Sequence, residues 1–253
     1  MKGYSPKEIR QLVTKSEEDK EKNGWEDYQK ALKKFQEGDY PAAAKLLGEF
    51  KKQYPESKYL GHIFYLKAEA EYRITFKESN PIFDRSLASY KFAIRQFPKS
   101  KFYDHALLKV ATIYDDIGYG LEARTLYNQG LKSKPGSLYN EVRKNSLAAM
   151  LMKEGRLDDA FNAFQKILRK SPNNLEAKAG IFEIANKLFE KKDYPRALKI
   201  FEAGARRWSS EINERPEIHF LIAEIYFSQK DYKKARKHFF QSSEPGPGFP
   251  ECP

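Results

Sequence analysis

One cysteine in 253 residues, Cys252, excludes any intramolecular disulfide. The four histidines, His62, His105, His219 and His238, are scattered. A metal site needs three or four converging ligands, so surface histidines without a function are expected, although His62 and His105 hold the same early place in neighbouring helices. There is no Gly-rich phosphate loop, no His-Glu-x-x-His pair and no nucleophile with a matched base. No enzyme is expected, and no metal or cofactor. No apolar run approaches the ~18 residues of a membrane span, and residues 1–24 lack an apolar core resembling a signal peptide. Two localisations follow: periplasmic or envelope-associated if a leader was removed, otherwise cytoplasmic. Whether Met1 and the last residues are native ends stays open.

A formal net charge of +11 raises the question of a polyanionic partner. The lysines, however, are spread through the chain and mixed with acids. Lys30, Lys33 and Lys34 share one helix face while Tyr28, Leu32 and Phe35 hold the other, which is the pattern of a solvated surface. Nucleic acid is therefore the alternative and not the first reading. A hydrophobic content of 40% is enough for a continuous core shared between short units.

The chain is organised around a turn. Gly38-Asp39-Tyr40-Pro41-Ala42-Ala43 has counterparts at Gly155-Arg156-Leu157-Asp158-Asp159-Ala160, Lys192-Asp193-Tyr194-Pro195-Arg196-Ala197 and Lys230-Asp231-Tyr232-Lys233-Lys234-Ala235. Aligning them places a small residue at Ala43, Ser86, Ala123, Ala160, Ala197 and Ala235, in steps of 43, 37, 37, 37 and 38 residues. Twelve residues earlier stand Ala31, Ala111, Ala148, Ala185 and Ala223, and twelve later stand Pro55, Pro98, Pro135, Pro172, Ser209 and Pro247. In the second unit Ala68 precedes Ser86 by 18, so the turn around residues 75–85 is enlarged, a drift that such turns tolerate. Two helices that cross closely need a small side chain on each at the crossing, and proline stops the second helix. Each unit is thus helix, turn, helix, stop, near 25–37 and 40–53, 58–76 and 83–96, then 101–133, 138–170, 175–207 and 215–242.

On these residues the chain resembles the tetratricopeptide repeat (TPR) family. Ala148, Gly155, Ala160, Phe164 and Pro172 match its pattern in the fourth unit, and Ala111, Tyr114, Gly118, Ala123, Tyr127 and Pro135 in the third. The period of about 37 exceeds the family's 34, and the Trp usual early in the first helix is missing. The resemblance implies an all-α, right-handed superhelical solenoid of about six hairpins over 24–243. An N-terminal helix and linker would precede it over 1–23, and a Pro/Gly-rich tail would follow over 244–253. A narrower resemblance lies in Phe50-Lys51-Lys52-Gln53-Tyr54-Pro55-Glu56-Ser57 and Phe92-Ala93-Ile94-Arg95-Gln96-Phe97-Pro98-Lys99-Ser100. These endings resemble those of bacterial envelope TPR proteins, namely the outer-membrane barrel-assembly lipoprotein and the periplasmic partner of the Tol system.

The resemblance implies a protein-protein interaction scaffold within a bacterial envelope or motility assembly, holding a peptide or helix of its partner in a concave groove formed by the first helices. Spacing of 3, 4, 3 along those helices picks out Tyr65, Glu69, Tyr72, His105, Thr112, Asn145, Met152 and Asn186 as partner-binding residues. Binding is expected to centre on units two to four. A second reading of the same stripe is that its aromatics pack between units. Phe182, Phe189, Phe220 and Phe227 are expected as inter-unit core. Asn145 and Asn186 lack the neighbouring Lys or Arg needed to clamp a C-terminal carboxylate.

Overall fold

A computed structural model describes residues 23–79, 81–209 and 215–243, and among them there are twelve α-helices and no strand. The N-terminal helix expected within 1–23 and the tail over 244–253, with Pro247 and Cys252, lie outside the described residues. The helices are α1 Trp25–Gln36, α2 Tyr40–Gln53, α3 Leu60–Thr75, α4 Asp84–Gln96, α5 Tyr103–Asp116, α6 Gly120–Ser133, α7 Asn140–Lys153, α8 Leu157–Lys170, α9 Leu175–Glu190, α10 Tyr194–Arg207, α11 Pro216–Ser228 and α12 Tyr232–Ser243. They form two compact units whose boundary falls between Arg143 and Lys144, inside α7. In the first, α1 to α6 pack in sequence order. In the second, α8 to α12 do the same.

The twelve small marks are all deeply buried. Ala31, Ala43, Ala68, Ser86, Ala111, Ala123, Ala148, Ala160, Ala185, Ala197, Ala223 and Ala235 are all at most 2% exposed. Four residues after the mark, each second helix turns a large side chain inward, as with Tyr90, Tyr127, Phe164 and Phe201, all buried. In the second unit the approach is closer still: a Cβ built on Gly180 would collide with the Phe164 ring, and one on Gly204 with Phe182.

The turns explain the rest of the motif. Gly38, Gly118, Gly155, Lys192 and Lys230 all have positive φ, between 62° and 86°. Each ends a first helix, and the residue after it donates its N–H back to the helix, as in Asp39 to Lys34 O at 3.0 Å and Asp193 to Leu188 O at 2.9 Å. That next residue then starts the second helix: Asp39 and Asp193 accept the N–H of Ala42 and Arg196, with Pro41 and Pro195 in the first turn. The second hairpin alone departs, because α3 ends at Thr75 and α4 begins only at Asp84.

The Pro-x-Ser endings have a local role. After Pro55, Pro98 and Pro135, the hydroxyls of Ser57, Ser100 and Ser137 accept the N–H of Tyr59, Phe102 and Tyr139 at 3.0–3.3 Å, folding the chain into the next helix. The aromatic so placed packs on the preceding first helix: Tyr59 on Tyr28 at 5.4 Å, Phe102 on His62 at 4.2 Å and Tyr139 on His105 at 5.5 Å.

Of the four phenylalanines expected as core, Phe182 is buried and Phe189 is packed, half-buried, against the second unit's core. Phe220 and Phe227 are instead 46% and 58% exposed. They lie on α11, in the last described hairpin, and no described helix follows α12 to cover that face.

Lys192 is strained where glycine is not, so Lys192→Gly should raise the unfolding free energy by about 1 kcal/mol. Ala160→Leu should lower it by about 1–3 kcal/mol through overpacking at the α7/α8 crossing. Urea titration followed by circular dichroism measures both.

Candidate functional site

The eight stripe residues fall on first helices, α3, α5, α7 and α9, but in different environments. In the first unit Tyr65, Glu69 and Tyr72 follow one another down α3, and all three are buried, as is His105 on α5. The Tyr65 hydroxyl donates to Phe97 O at 3.2 Å. Tyr72 stacks between Phe76 and Phe83 at 5.6 and 5.7 Å, and the Lys109 ammonium lies 4.3 Å from its ring centre. Thr112 is half-buried, its hydroxyl bonded back to Leu108 O at 3.1 Å. The second unit holds Asn145, Met152 and Asn186. Asn145 is buried and donates to Asn174 Oδ1 at 3.1 Å and Glu176 Oε2 at 2.7 Å. Met152 and Asn186 are half-buried, and the Asn186 carbonyl oxygen is enclosed with no hydrogen-bond partner.

Glu69 is the centre of a polar network that sequence reasoning saw only in part. Its carboxylate accepts from the Tyr90 hydroxyl at 2.5 Å and from Arg73 Nε at 2.8 Å. Burial opposes ionisation, but Lys109, His105, Tyr90 and Arg73 outweigh it and hold the carboxyl below the usual range. Burial pulls the Lys109 ammonium the other way, below its ordinary value, against the attraction of Glu69. Two residues on, Glu71 is also buried and accepts from Lys67 Nζ at 2.9 Å and Arg85 Nε at 3.0 Å. The sequence signal was present: Glu-x-Glu inside an apolar helix, with Lys67 four residues before Glu71 and Arg73 four after Glu69.

A second polar cluster was missed outright. Arg143 is fully buried and donates to Asp104 Oδ1 at 2.5 Å, Asp104 O at 2.9 Å and Asn140 Oδ1 at 3.0 Å, tying the start of α7 to α5.

The histidines need correcting. His62, His105 and His219 are buried, not surface residues. Burial under the linker aromatics drives the His62 pKa down to about 3 and that of His105 to about 4, the latter despite the nearby Glu69. His62 Nδ1 is 2.5 Å from the Tyr28 hydroxyl. His219 and His238 face each other between α11 and α12, with 3.3 Å between Nδ1 atoms. Among the described residues no three or more His, Cys, Asp or Glu side chains lie close enough to hold a metal ion.

A cavity of ≈ 860 Å³ in the first unit is walled by the two tandem endings, Pro55 to His62 and Gln96 to Phe102, with Tyr28.

Models of the tetratricopeptide repeat match residues 26–57, 151–207 and 182–248, together about half of the chain. The chain belongs to the tetratricopeptide repeat family. Solved structures agree with that fold. A TPR protein from Parabacteroides merdae superposes with a TM-score of 0.61 at 19% identity, over 87% of this chain and 80% of that one. PilF of Pseudomonas aeruginosa gives 0.54 at 15% identity, over 89% and 92%. YrrB, described as a TPR protein with an unusual peptide-binding site, gives 0.51 at 15% identity, over 79% and 91%. No curated protein sequence matches this TPR chain. Identities at this level establish the shared fold.

The buried histidines fix a pH dependence. In the unfolded chain they take up a proton near pH 6.5, and in the folded one only near pH 3–4, so stability is complete above pH 6.5 and is lost as pH falls through that window. Glu69, with its lowered pKa, adds to the loss at the acid end. The melting temperature should therefore fall between pH 7 and pH 4.5, and His105→Gln should flatten that fall.

Proposed function

We propose that this TPR protein is a non-catalytic scaffold that binds a peptide or helix of a partner protein along its first-helix face, within a bacterial envelope or motility assembly. The observation that carries this reading is the contrast between grid and stripe. The crossing positions are small throughout, while the stripe positions beside them differ from hairpin to hairpin: Tyr65, Glu69 and Tyr72, then Thr112, then Asn145 and Met152, then Asn186. Packing of the hairpins demands the first set and leaves the second free to vary. The peptide-binding description of YrrB supports the partner class, and the tandem Pro-x-Ser endings support the assembly context.

Burial divides the stripe by role. Tyr65, Glu69, Tyr72, His105 and Asn145 shape and stiffen the surface from beneath. Thr112 on the first unit, and Met152 and Asn186 on the second, keep partial exposure and offer a hydroxyl, an adaptable thioether and an amide. The alternative function is association with nucleic acid or another polyanion, which rests on the +11 net charge and requires binding that weakens steeply with salt.

The test is to recover the partner by affinity purification and mass spectrometry, then measure its affinity for Thr112→Ala and for Met152→Ala/Asn186→Ala by calorimetry. A loss of about tenfold or more, at an unchanged melting temperature, is expected in at least one unit. Unchanged affinity in both sets of folded variants removes the first-helix face as the site, and binding to DNA that collapses between low and physiological salt replaces this reading by the alternative.

A further inference from the structure

The second unit carries a groove on its other side. Successive second helices, α8 and α10, flank a channel of ≈ 410 Å³ floored by α9. Phe161, Ile181, Ile184, Leu188, Ile200 and Trp208 make its base apolar. Arg196, Lys199, Ala203 and Arg207 follow one another along α10 at spacings of 3, 4 and 4, so they share one helix face and border the channel over about 16 Å.

Its charge is one-sided. The lining holds a single acid, Asp158, and that carboxylate is engaged by Arg196, which also reaches Asp193 at 3.3 Å. Lys199 and Arg207 are exposed and have no acidic counterpart in the lining.

The first unit supplies an internal control, because a channel of ≈ 440 Å³ occurs there between α4 and α6 over α5. Counted from the Ala marks, Leu107, Val110, Tyr114 and Leu126 stand where the second unit has Ile181, Ile184, Leu188 and Ile200. The apolar floor is thus a consequence of the repeat. The basic edge is not: Glu122, Thr125 and Ser133 occupy the places of Arg196, Lys199 and Arg207.

We infer that the α8/α10 channel is a second docking surface and that it takes an acidic amphipathic helix of a partner protein. Apolar residues three and four apart on that helix enter the channel, and carboxylates along one edge meet Lys199 and Arg207. The charge pairing sets orientation and partner choice while the apolar floor supplies most of the affinity. The surface lies between second helices over residues of α9 other than its stripe residue Asn186.

Selection of a displayed library of helical peptides of about 18 residues against the full chain tests this. The pool should become rich in Glu and Asp on one edge of a Leu/Phe stripe. Affinity of the selected peptides should fall at least about tenfold for Lys199→Glu/Arg207→Glu and for Ala203→Trp, which obstructs the channel, and should be unchanged for Thr125→Glu in the matching first-unit channel. Melting temperatures identify any variant whose loss reflects unfolding, and in that case Lys199→Gln/Arg207→Gln takes its place. A pool without acidic bias, no enrichment, or equal binding by the folded channel variants overturns the proposal.

Discussion

Everything in this chain depends on how closely two helices can approach when a methyl group or less separates their axes. Interaxial distances of about 8–10 Å depend on the side chains at the contact, and alanine gives the near end of that range. Once the first and second helices of a hairpin pack together, as α9 and α10 do with Ala185 and Ala197 fully buried, the twelve-residue separation of those marks leaves room for only a short turn. The large residue four positions later is then driven into the next hairpin. Phe164 meets Gly180 of the next hairpin in this way, and within that hairpin Phe182 of α9 meets Gly204 of α10, so each ring fills a notch that the following helix leaves open by lacking a Cβ. Core density in the second unit is handed on from helix to helix in this way.

The turns obey the same geometry through the backbone. A first helix that must reverse within three residues does so through one left-handed residue, which is why five turns share that conformation although two of them place a lysine there. The second hairpin takes another route. Its longer connection from Thr75 to Asp84 exposes Phe76 and Ile82, yet it is not loose at its far end, because Arg85 reaches back to the buried Glu71. The insertion and the second carboxylate of α3 therefore belong together: after the lengthened turn a second cation, Arg85, joins Lys67 on Oε1 of a buried acid.

This separates what the sequence discloses from what it conceals. The grid was legible because its cause is local and repeated; any reader who aligns Gly38-Asp39-Tyr40 with Lys192-Asp193-Tyr194 finds the helices to within a few residues. The burial of His62 and His105 was not legible, because it comes from Phe102 and Tyr139, which belong to the next linker and stack from outside the helix. Glu69 could be placed on a face, but its partners Tyr90 and Lys109 lie on two other helices, and no spacing rule within α3 points to them. Phe220 and Phe227 failed for a related reason. Their own helix reads like α9, and only a neighbour decides whether such a face is core or surface.

The same reasoning bears on where recognition can reside in a repeat of this kind. Positions fixed by helix crossing are small in every hairpin and so distinguish none from another. Positions one turn before the mark carry Tyr, Leu, Asn and Phe in successive first helices, at Tyr65, Leu108, Asn145 and Phe182, and positions directly after it carry Glu, Thr, Ala and Asn at Glu69, Thr112, Ala149 and Asn186. In the first unit that variety is spent inward, on a network of buried charges whose partners constrain one another, and such a network leaves little freedom for side chains to reorganise around a ligand. Recognition there has to rely on a surface shaped in advance, whereas Met152 and Asn186 of the second unit retain the partial exposure that allows a side chain to adapt to what it meets.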